Sequence, residues 1–156
     1  YASRLVFPIR DITGKVRVFL GRAMDNTIDP KYMIHPRGSK MPLFPSVPDI
    51  REGTIILVEG IFDALNLIDK GLTNVVCCFG TNNMDIYKVS LLKILGVKGI
   101  HIFFDGDLAG EQAAEKVADL CNEAGLQSDV IPIAKGTDPG DLTPERINDL
   151  KEFLYG

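Results

Sequence analysis

From Gly53 onward the chain alternates short apolar runs with segments of helical spacing, and this alternation constrains its fold most strongly. Thr54-Ile55-Ile56-Leu57-Val58 is a continuous apolar run bounded by Gly53 and Glu59, the pattern of a strand covered on both faces. Ile61 to Lys70 sets Phe62, Leu65 and Ile68 at helical spacing and stops at Gly71. Asn74 to Phe79 reads as a second strand. Met84 to Leu95 reads as a helix with Asp85 in its first turn and Gly96 after its end. Gly99 to Phe104 is a third strand, Ala109 to Ala124 a helix ending at Gly125, and Asp129 to Ile133 a fourth strand. Thr143 opens a last helix, with Pro144 at its first position and Glu145 next. The pattern predicts an α/β fold, a roughly four-stranded parallel sheet flanked by helices.

The first 50 residues follow another logic and hold six of the nine prolines. Leu5 to Ile9 and Val16 to Leu20 read as strands joined by a turn at Asp11-Ile12-Thr13-Gly14. Met24 to Asp49 reads as irregular, a surface path held by packing or by a ligand. The expected division is a basic strand-and-loop subdomain over 1–51 and an α/β domain over 52–156. With 156 residues the chain can bury roughly two-thirds of its unfolded surface, enough for a core without staples. No apolar run approaches the ~20 residues of a membrane helix and no secretory signal opens the chain, so a cytoplasmic protein is expected. Cys77, Cys78 and Cys121 lack zinc-finger spacing, and Cys77 and Cys78, neighbours inside an apolar run, read as buried thiols of a reducing cytosol. A start at Tyr1 rather than Met suggests a piece of a longer polypeptide.

Net charge is −4, which argues against a protein that simply coats nucleic acid. That total hides an asymmetry. Residues 1–51 carry 9 Lys/Arg against 4 Asp/Glu, and residues 52–156 carry 8 against 17. A basic surface joined to an acidic one suits an enzyme that handles polyanions with carboxylate-held metals. Chance segregation of solvated charge is the alternative.

Two acidic clusters stand where strands end: Glu59-Gly60-Ile61-Phe62-Asp63 after the first and Asp105-Gly106-Asp107 after the third. Ligands of an open parallel sheet gather at the carboxyl ends of its strands, so both clusters belong to one edge. Carboxylates converging without arginines repel one another, and a divalent cation removes that repulsion. Oxygen ligands without histidine or cysteine favour Mg²⁺ or Mn²⁺. Strand-end carboxylates also cap helices, which is the structural alternative. Asp138-Pro139-Gly140-Asp141 is ordinary turn chemistry that also follows a strand. Gly80-Thr81-Asn82 offers amides and a hydroxyl to a phosphate, or simply connects strand to helix. Arg22, Lys31, Arg37 and Lys40 are candidate phosphate contacts, each equally suited to a solvated surface. His101 reads as a packed strand residue and His35 as a surface one. No GxxxxGK[ST] or GxGxxG stretch is present, which excludes a P-loop nucleotidase from these residues.

Together, Glu59-Gly60-x-x-Asp63-Ala64-Leu65, Gly80-Thr81, Phe104-Asp105-Gly106-Asp107-x-Ala109-Gly110 and Asp138-Pro139 resemble the Toprim domain. Topoisomerases, bacterial-type primases and some nucleases share this metal-binding module. Phe7-Pro8-Ile9-Arg10-Asp11, Gly14-Lys15-Val16, Gly21-Arg22 and Pro30-Lys31-Tyr32 are similar to the stretch preceding Toprim in bacterial DNA primases and phage primase-helicases. Carried over, the resemblance implies that Glu59, Asp63, Asp105, Asp107 and Asp138 bind metal, with Glu59, Asp105 and Asp107 catalytic. It also implies that Arg22 and Lys31 contact nucleotide or template. The sequence departs from the family at Gly140, where an acidic residue is usual after Asp-Pro, and at Pro45, where a lysine tends to follow Leu43-Phe44. Glycine with positive φ would let Asp141 swing back toward the metal, whereas its position also suits a cap on the helix opening near Thr143.

The function implied is metal-dependent RNA primer synthesis on a single-stranded DNA template from ribonucleoside triphosphates, beside a fused or separate replicative helicase. A Toprim nuclease and a non-catalytic DNA-binding module are the alternatives. The zinc-binding and helicase-associated modules of full primases are not found in this stretch.

Overall fold

A computed structural model describes residues 2–156. Among the described residues seven strands and four α-helices follow one another: β1 (Arg4–Arg10), β2 (Val16–Ala23), β3 (Tyr32–His35), β4 (Thr54–Val58), α1 (Ile61–Asp69), β5 (Val75–Cys77), α2 (Ile86–Ile94), β6 (Gly99–Ile102), α3 (Leu108–Glu123), β7 (Gln127–Val130) and α4 (Pro144–Tyr155). Strands β1, β2 and β3 form an antiparallel sheet in that order. The other four form a parallel sheet in the order β5-β4-β6-β7.

Side chains alternate across a strand, so β4 divides its apolar run between two cores. Ile55 and Leu57 pack with Val89 and Leu92 of α2 and with Val117 and Cys121 of α3. Ile56 and Val58 pack with Ile61, Ala64 and Leu67 of α1 and with Ile147 and Leu150 of α4. The four apolar residues of β4 are fully buried, which explains why that segment shows no polar alternation. Ile9, Val18 and Leu20 of the antiparallel sheet join the second core, so the small sheet packs on the α1 side.

The hairpin between β1 and β2 closes on Asp11. Its carboxylate accepts hydrogen bonds from the Thr13 amide and hydroxyl, the Lys15 amide and the Arg17 guanidinium, and these hold its pKa far below the usual range. The stretch expected to be irregular contains a strand, β3. Tyr32-Met33-Ile34-His35 is only four residues between Pro30 and Pro36, too short for a period-2 signal, and it is ordered by pairing with β2. The last strand also runs earlier than expected, over Gln127–Val130 rather than Asp129 to Ile133. Pro132 has no amide to donate, and the ladder ends with the Ile131 N–H on the Ile102 carbonyl at 2.8 Å. The second strand shortens to Val75–Cys77 because Phe79 turns into the left-handed region at φ 58°. Asp85 lies one step outside α2, capping it by accepting from the Lys88 amide.

Cys77 and Cys78 are free and buried, as their apolar run suggested, and so is Cys121. Burial pushes Cys78 up to about 12 and Cys121 to about 11. His101 lies mid-strand against Asp129 at 2.8 Å and edge-on to Tyr155. Among the described residues no helix is long and apolar enough to cross a membrane.

Candidate active site

The strand order decides where a ligand goes. From β4 the chain leaves through α1 on one face, and from its neighbour β6 it leaves through α3 on the other. A crevice opens at the carboxyl ends of such a pair, between Glu59 after β4 and Asp105 beyond β6. There the molecule has a cleft of about 700 Å³, lined by Glu59, Asp63, Asp105 and Asp138, and by Arg22 and Lys31 from the antiparallel sheet.

Each carboxylate is set by local backbone chemistry. The Gly60 amide donates to Asp63 Oδ2 at 2.9 Å, drawing Asp63 back over the head of α1. A Cβ on Gly60 would stand 2.7 Å from that oxygen. The Gly106 amide donates to the Thr137 carbonyl at 2.9 Å and its carbonyl accepts from Gly136 at 2.8 Å, which laces the loop after β6 to the loop after β7. Asp138 is thereby brought to Asp105, and each of these loops alone would leave them apart. Asn66 of α1 holds the turn at Pro139–Asp141 from beneath, donating to the Pro139 and Leu142 carbonyls at 2.9 and 3.1 Å.

Burial and mutual repulsion raise these acids. Glu59 is pushed to about 7, first by burial and then by Asp105, Asp63 and Asp107. Asp63 is pushed to about 6 by burial, then by Asp105 and Asp138, against the lowering effect of the Gly60 and Gly140 amides. Asp105 is raised by burial, Asp138 and Asp107. The donor set is all oxygen, and repulsion between its members is the strain that a hard divalent cation relieves. Among the described residues no three such side chains already enclose an ion-sized site, so binding would draw them together.

Asp107 and Asp138 each have a second task. Asp107 caps α3, accepting from the Gly110 amide at 2.7 Å, and does not line the large cleft. Asp138 accepts from the Asp141 amide at 3.0 Å. Two expectations about the Gly140 region are corrected. Gly140 is not in the left-handed region. Its lack of a side chain matters sterically instead, because a Cβ there would stand 2.8 Å from Asp63 Oδ1 and 3.0 Å from Asp138 Oδ1. Nor does Asp141 cap α4. Thr143 does so itself, accepting from the Arg146 amide, and Asp141 is exposed on the cleft wall.

On the basic wall, Arg22 sits across from Tyr32 in the β2–β3 register, with its guanidinium 5.0 Å from the Tyr32 ring centre and 5.9 Å from that of Phe62. Phe62 is braced edge-on by Phe7. Arg22 Nε is buried without a partner. Arg37 and Lys40 do not line this cleft, and Lys40 faces Asp85. Gly80 lines it, whereas Thr81 lines a smaller neighbour. Sequence reasoning missed Phe62 and Asn66 as site residues. Both are on α1, and the signal that marks Asn66 is its helical spacing, three residues past Asp63 and four past Phe62.

The Toprim domain family matches residues 54–149. A DNA primase from Chlamydia trachomatis serovar D is 33% identical over 164 residues, covering 99% of this chain and 27% of that protein. The chain thus spans about a quarter of the length of such relatives. The zinc-binding and RNA polymerase domains of the Aquifex aeolicus primase superpose with a TM-score of 0.84 at 32% identity, covering 97% of this chain and 40% of that one. The RNA polymerase domain of Mycobacterium tuberculosis primase, in complex with double-stranded DNA, superposes at 0.75 with 28% identity, covering 94% and 52%. Divalent metal use is what this family implies, in keeping with the oxygen-only donor set. With its acidic edge at the β4–β6 crevice, this chain belongs to the Toprim domain family.

Proposed function

We propose that this chain is the greater part of a primase catalytic core, joining ribonucleotides into an RNA primer on single-stranded DNA. One observation supports it most: Arg22 and Lys31 line the same cleft as Glu59, Asp63, Asp105 and Asp138. A nuclease would use the same carboxylates on a strand alone, with no second polyanion to hold. A basic wall facing them suits a polyphosphate substrate and a strand at once.

In this reading residues 1–51 form the basic subdomain that tracks the template and residues 52–156 form the Toprim domain. Glu59, Asp63, Asp105, Asp107 and Asp138 hold Mg²⁺ or Mn²⁺, with Glu59, Asp105 and Asp107 at the reacting centre. The bound cation would lower the pKa of the attacking 3′-hydroxyl and neutralise the leaving pyrophosphate. Arg22, with its guanidinium 5.0 Å from the Tyr32 ring centre and 5.9 Å from that of Phe62, would offer its donors to phosphate oxygens, and Lys31 would add a second positive charge. Gly80 and Thr81 give the strand a close backbone approach. A replicative helicase, fused or separate, is the proposed partner.

Incubation with labelled single-stranded DNA, ribonucleoside triphosphates and Mn²⁺ tests this directly. Elongated RNA products are expected, and their loss in an Arg22→Ala, Lys31→Ala double variant. DNA cleavage without elongation overturns the proposal in favour of a nuclease.

A further inference from the structure

The carboxylate cleft does not end at Gly80. A second cleft of about 360 Å³ shares Phe79 and Gly80 with it. A Cβ on Gly80 would touch nothing within 4 Å, so the junction between the clefts is open. The further lining is Thr81 and Asn82 from the turn, and Ala109, Gln112, Ala113 and Lys116 from α3. Those four helix positions fall on one face. The two alanines keep that face low between two long polar side chains. The same helix is capped by Asp107, so its cleft face begins two residues from the acidic cluster. Lys116 makes no ion pair among the described residues.

The charge of the two clefts differs in a way that sorts their ligands. The first sets Arg22 and Lys31 against Glu59, Asp63, Asp105, Asp138 and Asp141, which suits a polyphosphate that comes with its own divalent cations. The second offers one cation with a hydroxyl and two amides. That set suits phosphodiesters, which carry one charge per nucleotide and expose sugar and phosphate oxygens to neutral donors. Resting on the nucleic-acid reading above, we propose that the second cleft seats the backbone of a nucleic-acid strand whose end lies at the carboxylates. Lys116 takes a phosphate, and Thr81, Asn82 and Gln112 take neighbouring oxygens. A DNA strand and an RNA strand share this chemistry.

The test is equilibrium binding of fluorescent DNA and RNA oligonucleotides of about eight nucleotides across a salt series. For at least one of the two, Lys116→Ala is expected to weaken binding several-fold and to flatten the log–log salt slope by about 0.7, one phosphate contact. Lys116→Arg should restore both, and Thr81→Val should weaken binding without altering the slope. Lys98→Ala, at the opposite sheet edge, controls for general charge. The oligonucleotide that responds identifies the strand. Unchanged affinity and slope for both overturn the proposal, as does an effect of Lys116→Ala confined to free ribonucleoside triphosphate. None of these measurements needs catalysis. A chain that binds through Lys116 but makes no primer refutes only the primase reading, and one that makes primer indifferently to Lys116 refutes only this one.

Discussion

A methyl group on Gly106 would run into the Ala134 carbonyl, and one on Gly110 into the Asp105 carbonyl. The two glycines of Asp105-Gly106-Asp107-Leu108-Ala109-Gly110 are therefore there for close backbone packing, and the aspartates ride on the loop this packing creates. Gly140 works the same way between Asp63 and Asp138. Gly140→Ala should push those carboxylates apart and weaken divalent-cation affinity measured by titration calorimetry, with the fold retained. Unchanged affinity would show that the two do not act on one ion. Asp105→Asn removes a raised carboxylate from the repelling group. It should abolish cation-dependent primer synthesis while leaving the cation-free melting temperature unchanged or slightly higher. Near-normal synthesis by this variant would remove the aspartate from the reacting centre.

At the scale of elements, α1 does more than cover the sheet. It carries Asp63 for the acidic group, Phe62 for the basic wall and Asn66 for the turn beneath Asp138. Asn66→Ala would leave the Pro139 and Leu142 carbonyls without their donor, and should lower unfolding stability by about 1–3 kcal/mol in urea melts. A loss well below that range would mean that water replaces the amide freely. The long apolar run of β4 and the helix stops at Gly71, Gly96 and Gly125 were readable because each feature is local. Strand β3 was not, because four residues between prolines carry no period and gain their order from β2. Residue pairs across that register, Arg22 with Tyr32 among them, are likewise invisible along the chain.

For the whole molecule, the acidic edge ties stability to pH. Glu59 rises from 4.5 to about 7 on folding and Asp63 from 3.8 to about 6. Between about pH 4 and 7 the folded chain holds protons that the unfolded chain has released, so stability falls as pH rises through that window. The lowered acids Asp11, Asp25 and Glu145 act in the opposite sense and only in more acidic solution. Cation-free melting temperature should therefore decline from pH 4.5 to 7. Added Mg²⁺ or Mn²⁺ should raise it more at pH 7.5 than at pH 4.5, since protons and cation compete for the same oxygens. A flat profile would mean that the carboxylates do not repel as their placement implies.

By itself the sequence determined the α/β alternation, the buried strands and the acids at strand ends, because hydrophobic period, helix stops and strand-end position are properties of neighbouring residues. The order β5-β4-β6-β7, the cleft that order opens and the basic wall that faces it arise only in the folded chain. These depend on pairings between residues tens of positions apart, and the repulsion that marks the site exists only once folding brings like charges together.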